Sequence, residues 1–180
     1  MSRYIAFLRG INVSGQKKVP MVELRSIMSN IGLEEVKTYI QSGNVIFTSK
    51  RTLISKLEEQ IEKAIKKNFG FDVPVLVKSV EDLQKILKNN PFDDGDNLAV
   101  NKIYFVLLFQ NPGLEKINAF KNEVFPSEKW EFNNNCIYLC CENGYGKAKL
   151  NNNMIERKLK VDATTRNYRT MHKLIEMGIN

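Results

Sequence analysis

Apolar residues along this chain alternate between two spacings. Tyr4 to Leu8 is an unbroken apolar run that predicts a strand. From Met21 to Ile31 the apolar positions Leu24, Ile27, Met28 and Ile31 fall at helical spacing, with Pro20 at the first turn and Gly32 as a stop. Val36 to Gln41 and Val45 to Thr48 predict two strands joined around Ser42-Gly43-Asn44, a tight-turn signal. Ile54, Leu57, Ile61, Ala64 and Ile65 then line one face of a long helix that ends near Gly70, and Val73 to Lys78 predicts a fourth strand.

The order strand, helix, strand, strand, helix, strand is the split β-α-β, or ferredoxin-like, arrangement. Ser79 with Asp82 forms a capping pattern that opens a short helix through Leu87, ahead of Pro91. The polar, acidic stretch from Phe92 to Asn97 is the best candidate boundary. From Ile103 the order starts again: a strand to Phe109, the breaker Asn111-Pro112-Gly113, a helix around Leu114 to Phe120, strands around Trp130 to Phe132 and Ile137 to Cys141, and a helix around Met154 to Leu159. The halves share no evident sequence identity, only this order. Thr165 to Met177 reads as a helix where the second unit's final strand belongs.

The expected fold is therefore α+β: two ferredoxin-like units packed into one body, with antiparallel or mixed sheets and helices. Residues 1–79 form the first unit, residues 80–99 a connecting helix and acidic loop, and residues 100–180 the second unit with a C-terminal helix. Both first strands are apolar on both faces, so both sheet faces are expected to be covered.

In this topology the first and second strands run parallel, which brings the loop Arg9 to Val19 beside the turn Gln41-Ser42-Gly43-Asn44. The loop carries Gly10 and Gly15 and leads into a helix N-terminus, where unpaired N–H groups favour an anion by about 0.3–1 kcal/mol. Arg9, Asn12 and Lys17 add polar and cationic side chains. Further along, Thr164 to Leu174 reads as a helix opened by a hydroxyl cap, with Arg166 and Arg169 three apart on one side, Asn167 between them, and Tyr168, Met171 and Ile175 facing the core.

The chain has 180 residues, is 43% hydrophobic and 26% charged, and carries a formal net charge of +7. That balance is ordinary for a globular protein, with a bias toward phosphates, nucleic acid or acidic partners. No apolar run approaches ~18 residues, so no membrane span is expected. Arg9 cuts the N-terminal apolar run, and no small-residue cleavage site follows, so the segment reads as a strand and not a signal peptide. Cys136, Cys140 and Cys141 form no C-x-x-C pair, and His172 is the sole histidine, which favours neither a disulfide framework nor a metal site. Packed thiols in a reducing cytoplasm are the expected reading. Asn143 to Lys149 resembles part of a phosphate loop, but Ala148 follows Gly146-Lys147 where a hydroxyl for Mg²⁺ is required. No cofactor signature is present.

Three segments resemble a bacterial family known as domain of unknown function 1697. They are Tyr4 through Met21 with its core Leu8-Arg9-Gly10-Ile11-Asn12-Val13, then Thr38 through Phe47, and finally Lys149-Leu150 with Thr165 through Thr170. The resemblance implies two ferredoxin-like units and a cytoplasmic protein, and it implies no activity. Relatives usually carry a second glycine where Ser14 stands and often a hydroxyl where Ala148 stands.

These readings favour a binding module for a phosphate-bearing ligand, a nucleotide or nucleic acid. Its expected ligand-binding residues are Arg9, Gly10, Asn12, Gly15, Lys17, Gln41, Ser42 and Asn44, with Arg166, Asn167 and Arg169 as a further group. Two other classes stand beside it. One is an enzyme on a small phosphorylated or amide substrate, for which no general base or nucleophile is identifiable. The other is a protein-interaction module.

Overall fold

A computed structural model describes residues 1–93 and 99–180, so the sequence-predicted boundary, Phe92 to Asn97, lies outside the described residues from Asp94 onward. The chain divides into two compact units. One comprises Met1–Lys85 with Lys173–Asn180, and the other Ile86–His172.

The first unit contains β1 (Ser2–Leu8), α1 (Met21–Asn30), β2 (Glu34–Tyr39), β3 (Asn44–Ser49), α2 (Ile54–Phe69) and β4 (Val75–Ser79). Its sheet order is β2-β3-β1-β4, with every neighbouring pair antiparallel, so β1 and β2 run parallel with β3 between them. Tyr4, Ala6 and Leu8 of β1 pack with Leu24 and Met28 of α1 and Leu57, Ile61 and Ile65 of α2. Ile5 and Phe7, on the other face, are fully buried too. A helix α3 (Val80–Lys88) follows β4 without a break, and the Ser79 hydroxyl accepts the Asp82 N–H at 3.1 Å, as the capping pattern predicted.

The second unit repeats this plan with β5 (Ile103–Leu108), α4 (Leu114–Lys121), β6 (Glu128–Asn133), β7 (Cys136–Cys141), α5 (Asn152–Leu159), β8 (Ala163–Asn167) and the start of α6 (Tyr168–Ile179), whose residues from Lys173 on belong to the first unit. Its order is β6-β7-β5-β8, again antiparallel throughout. Both sheets are thus antiparallel and neither is mixed. The core gathers Val106, Leu108, Ile137, Leu139, Ile155 and Leu159.

The repetition extends to single hydrogen bonds. Leu8 N–H donates to the Gly43 carbonyl at 2.8 Å and Arg9 N–H to that of Pro74 at 3.0 Å; Leu108 and Phe109 donate to Asn135 and Asp162, both at 2.9 Å. The Glu62 carboxylate accepts the Val75 N–H at 2.9 Å, and Glu156 accepts that of Ala163 at 2.8 Å. Ser79 caps α3, and Asn167 caps α6 by accepting the Thr170 N–H at 2.8 Å.

Asn167 as the cap corrects one expectation. The second unit does have its final strand, β8, and the helix starts three residues later than the Thr164 hydroxyl suggested. Two β-branched threonines beside Ala163 suit a pleated edge, and β8 is fixed by pairing with β5, which the local pattern does not contain.

The three cysteines are free thiols, Cys136 and Cys141 buried and Cys140 half-buried. Burial first, then the neighbouring Glu128 and Cys140, pushes the Cys141 thiol up to about 12, which leaves it un-ionised at neutral pH. Iodoacetamide at pH 8 is therefore expected to alkylate Cys140 before the other two, read by peptide mass mapping of the folded protein. Equal labelling of all three would contradict the burial assigned to β7.

Candidate functional site

The connection from β1 to α1 folds back on itself as a miniature hairpin. Gln16 N–H donates to the Val13 carbonyl at 2.9 Å, and the two residues between, Ser14 and Gly15, both have positive φ, at 50° and 74°. That is a type I′ turn, which requires left-handed backbone at both central positions. One step further out, Asn12 N–H donates to the Lys17 carbonyl at 3.1 Å.

Asn12 is the latch. Its side-chain amide donates to the carbonyls of Val19 at 3.0 Å and Gln41 at 2.9 Å, and its side-chain oxygen accepts the Val19 N–H at 2.8 Å. The loop and the β2–β3 turn, separated by about thirty residues in sequence, are thereby tied together, as the split β-α-β topology predicted. At the turn, buried Asn44 donates to the Tyr39 carbonyl at 3.1 Å and the Ser42 hydroxyl at 2.9 Å. Lys17 reaches the Asp72 carbonyl at 2.6 Å and lies over the Phe71 ring, 6.0 Å from its centre.

The backbone here differs from the anion cradle expected of it. The N–H groups of Leu8, Arg9, Asn12 and Gln16 bond to carbonyls, and that of Val19 to the Asn12 side chain. A turn tight enough to need two left-handed residues consumes its own amides. The N-terminus of α1 is different, because Pro20 at the cap position offers no side-chain hydrogen bond to the first turn. Glu23 lies in that turn and Lys18 is exposed just before it.

The remaining sequence-predicted residues belong to the second unit. Arg166 and Arg169 do not share a helix face, since Arg166 is on β8 and Arg169 on α6. Arg166 is buried at 9% exposure and donates to the Thr164 hydroxyl at 2.7 Å and the Thr165 carbonyl at 2.9 Å. Burial lowers its pKa to about 10. It holds the strand, while Arg169 is exposed and Asn167 is occupied as the α6 cap.

One polar cluster escaped the sequence reading. The Tyr145 hydroxyl accepts the Asn152 N–H at 2.9 Å and donates to the Thr165 hydroxyl at 3.1 Å, which donates to the Asn152 side-chain oxygen at 3.0 Å. This closed ring locks the start of α5 to β8; burial raises the Tyr145 pKa, and the bonds to Thr165 and Asn152 pull it the other way. The Asn143 to Lys149 loop is thus an anchoring segment with Tyr145 stacked 4.8 Å from Tyr104. Its partners are seven and twenty residues away, and no local spacing reveals them.

The profile of the family described as "Protein of unknown function (DUF1697)" matches residues 1–138, most of the chain and all of the latched loop and turn. The chain belongs to this family. Among solved structures it is similar to that of the conserved bacterial protein SP0830 from Streptococcus pneumoniae, with 28% identity, a TM-score of 0.81, and coverage of 100% of this chain and 99% of that one. No curated protein matches the chain. Neither the family's description nor the neighbour's name states an activity. No described helix is long and apolar enough to cross a membrane, and the described residues contain no cluster of three metal-ligating side chains.

The two units of this family member differ in their connections: the second is longer between its third strand and second helix, 142–151 against 50–53, and the first is longer at the latched loop. Between strand and first helix the first unit has residues 9–20 where the second has only 109–113, and its hairpin turn spans 40–43 where the second has 134–135. The shorter version suffices to connect the elements.

Proposed function

We propose that the first unit is a binding module and that the latched loop, residues 9–20 with 40–44, is its recognition surface. The observation that carries this reading is the extra loop chain of the first unit at that end. The second unit closes the same fold without it, so the addition serves something other than connection. Gly10, Asn12, Ser14, Gly15, Lys17, Ile40 and Gly43 all have positive φ there. Backbone held this far from its preferred regions, at about 1–3 kcal/mol for each non-glycine residue, concentrates where geometry is pre-organised for a ligand.

The proposed ligand is phosphate-bearing, a nucleotide or nucleic acid. The exposed ammonium of Lys18, the charge of Lys17 and the α1 N-terminus without a cap side chain support an anion at this end. An enzymatic reading gains less support. The carboxylate raised by burial, Glu58, accepts the Val77 N–H at 2.9 Å and serves the β4 edge.

Titration of ¹⁵N-labelled protein with ATP and with an octauridylate RNA tests the proposal. Shifts are expected at residues 9–20 and 40–44, and Lys18→Ala is expected to weaken binding about tenfold without lowering stability. For RNA held by four phosphate contacts, log K falls against log salt with a slope of about −3. A flat salt response removes nucleic acid, and the absence of shifts with either probe overturns the phosphate reading.

A further inference from the structure

Two open sheets give four edge strands, and three are visibly closed to further pairing. On β4 the N–H groups of Val75 and Val77 are taken by the carboxylates of Glu62 and Glu58, both at 2.9 Å. On β8, Glu156 takes the Ala163 N–H, Asn152 takes the Ala163 carbonyl at 3.1 Å, and Arg166 takes the Thr165 carbonyl. On β2 the register shifts between Glu34 and Lys37, and Glu35 sits at φ 49°, a bulge that spoils the edge.

On the fourth edge, β6, Glu128 N–H at the start of the strand donates to the Phe125 carbonyl at 3.2 Å, and beyond it none of these devices is present among the described residues. All six of its residues pair with β7 in unbroken register, from Glu128 opposite Cys141 to Asn133 opposite Cys136. Glu142 N–H donates to the Ser127 carbonyl at 3.0 Å, which sets the hydrogen-bonded positions along β6 at the odd-numbered residues. The backbone groups of Trp130 and Phe132 therefore face outward. A groove of about 340 Å³ lined by Lys121, Trp130, Glu131 and Phe132 lies beside them.

We propose that β6 is a dimerisation edge, where a second copy of the chain pairs its own β6 antiparallel about a two-fold axis at Trp130. The charges select this occupant. In that register Trp130 faces Trp130 of the second copy in a hydrogen-bonded pair, and Glu128 faces Phe132. Lys129 then stands opposite Glu131 of the second copy and Glu131 opposite its Lys129, both at non-hydrogen-bonded positions, where side chains approach most closely. The strand is thus self-complementary, as an isologous interface requires. Lys129 and Glu131 are exposed and available, and the Lys129–Glu142 pair at 3.6 Å is an exposed contact of little strength. An interface built on one six-residue strand belongs to the small, reversible class below ~1,200 Å².

Sedimentation of the whole protein up to about 1 mM is expected to show a monomer–dimer equilibrium. At low salt Lys129→Glu or Glu131→Lys alone, which set like charges against each other, is expected to weaken it about tenfold, and the double swap to restore it. Trp130 is the chain's one tryptophan, so its emission is expected to move to shorter wavelength as the dimer forms. Both substitutions are on exposed positions, and circular dichroism confirms that each variant folds. A monomer at every concentration, or a dimer indifferent to both single swaps, overturns the proposal.

Discussion

Gly43→Ala is expected to destabilise the protein by about 3 kcal/mol, a sizeable share of the ~5–15 kcal/mol that holds a domain folded. A Cβ built there would lie 2.7 Å from the Leu8 Cβ and 2.9 Å from the Ile11 Cδ1, and the residue's φ is 77°. Leu8 and Ile11 are buried at 1% and 2% exposure, so neither side chain can step aside cheaply. Overpacking of this kind costs about 1–3 kcal/mol, and left-handed backbone adds about 1 for a residue with a side chain. Gly10→Ala separates the two causes, because Gly10 has a similar φ of 73° but open space around its Cβ position. That variant is expected to lose about 1 kcal/mol. Equal urea midpoints for the two would show that steric contact between loop and turn plays no part.

Asn12→Ala is expected to cost about 3 kcal/mol as well, by another route. It removes three hydrogen bonds and leaves the N–H of Val19, a residue only 1% exposed, without a partner; a buried unsatisfied donor costs about 1–3 kcal/mol. The rest comes from placing alanine at φ 54°, which asparagine tolerates better. Asn12→Gly relieves the backbone strain and not the lost bonds, so it is expected to recover about 1 kcal/mol. Amide hydrogen exchange at Val19 reads the latch directly. Unchanged protection there in Asn12→Ala would show that the loop is held by something else. If the loop is the recognition surface, both Asn12 variants also weaken the ATP or RNA titration, whereas Lys18→Ala does so at full stability.

Asn12 was legible as a polar residue in a suggestive loop, but its role was not. The three groups it binds come from residues 19 and 41: the loop's own fold-back brings Val19 within reach, and the parallel placement of β1 and β2 brings Gln41. Arg166 shows the opposite failure. Its spacing from Arg169 reads as a helical pair, yet pairing with β5 draws it into a strand and buries it.

Local spacing by itself determined most of the architecture: the helical repeats of α1 and α2, the capping pattern at Ser79, the hairpins and the twice-repeated order of elements, because a strand's or helix's periodicity is a property of neighbouring residues. The family resemblance was carried the same way, by contiguous segments. Tertiary structure alone decided which polar groups are spent on holding the fold. The Asn12 latch, the ring of Tyr145, Asn152 and Thr165, and the carboxylates closing β4 and β8 all join residues seven or more positions apart. Whether a donor is free for a ligand depends on which acceptors folding brings beside it, and that is set by three-dimensional proximity.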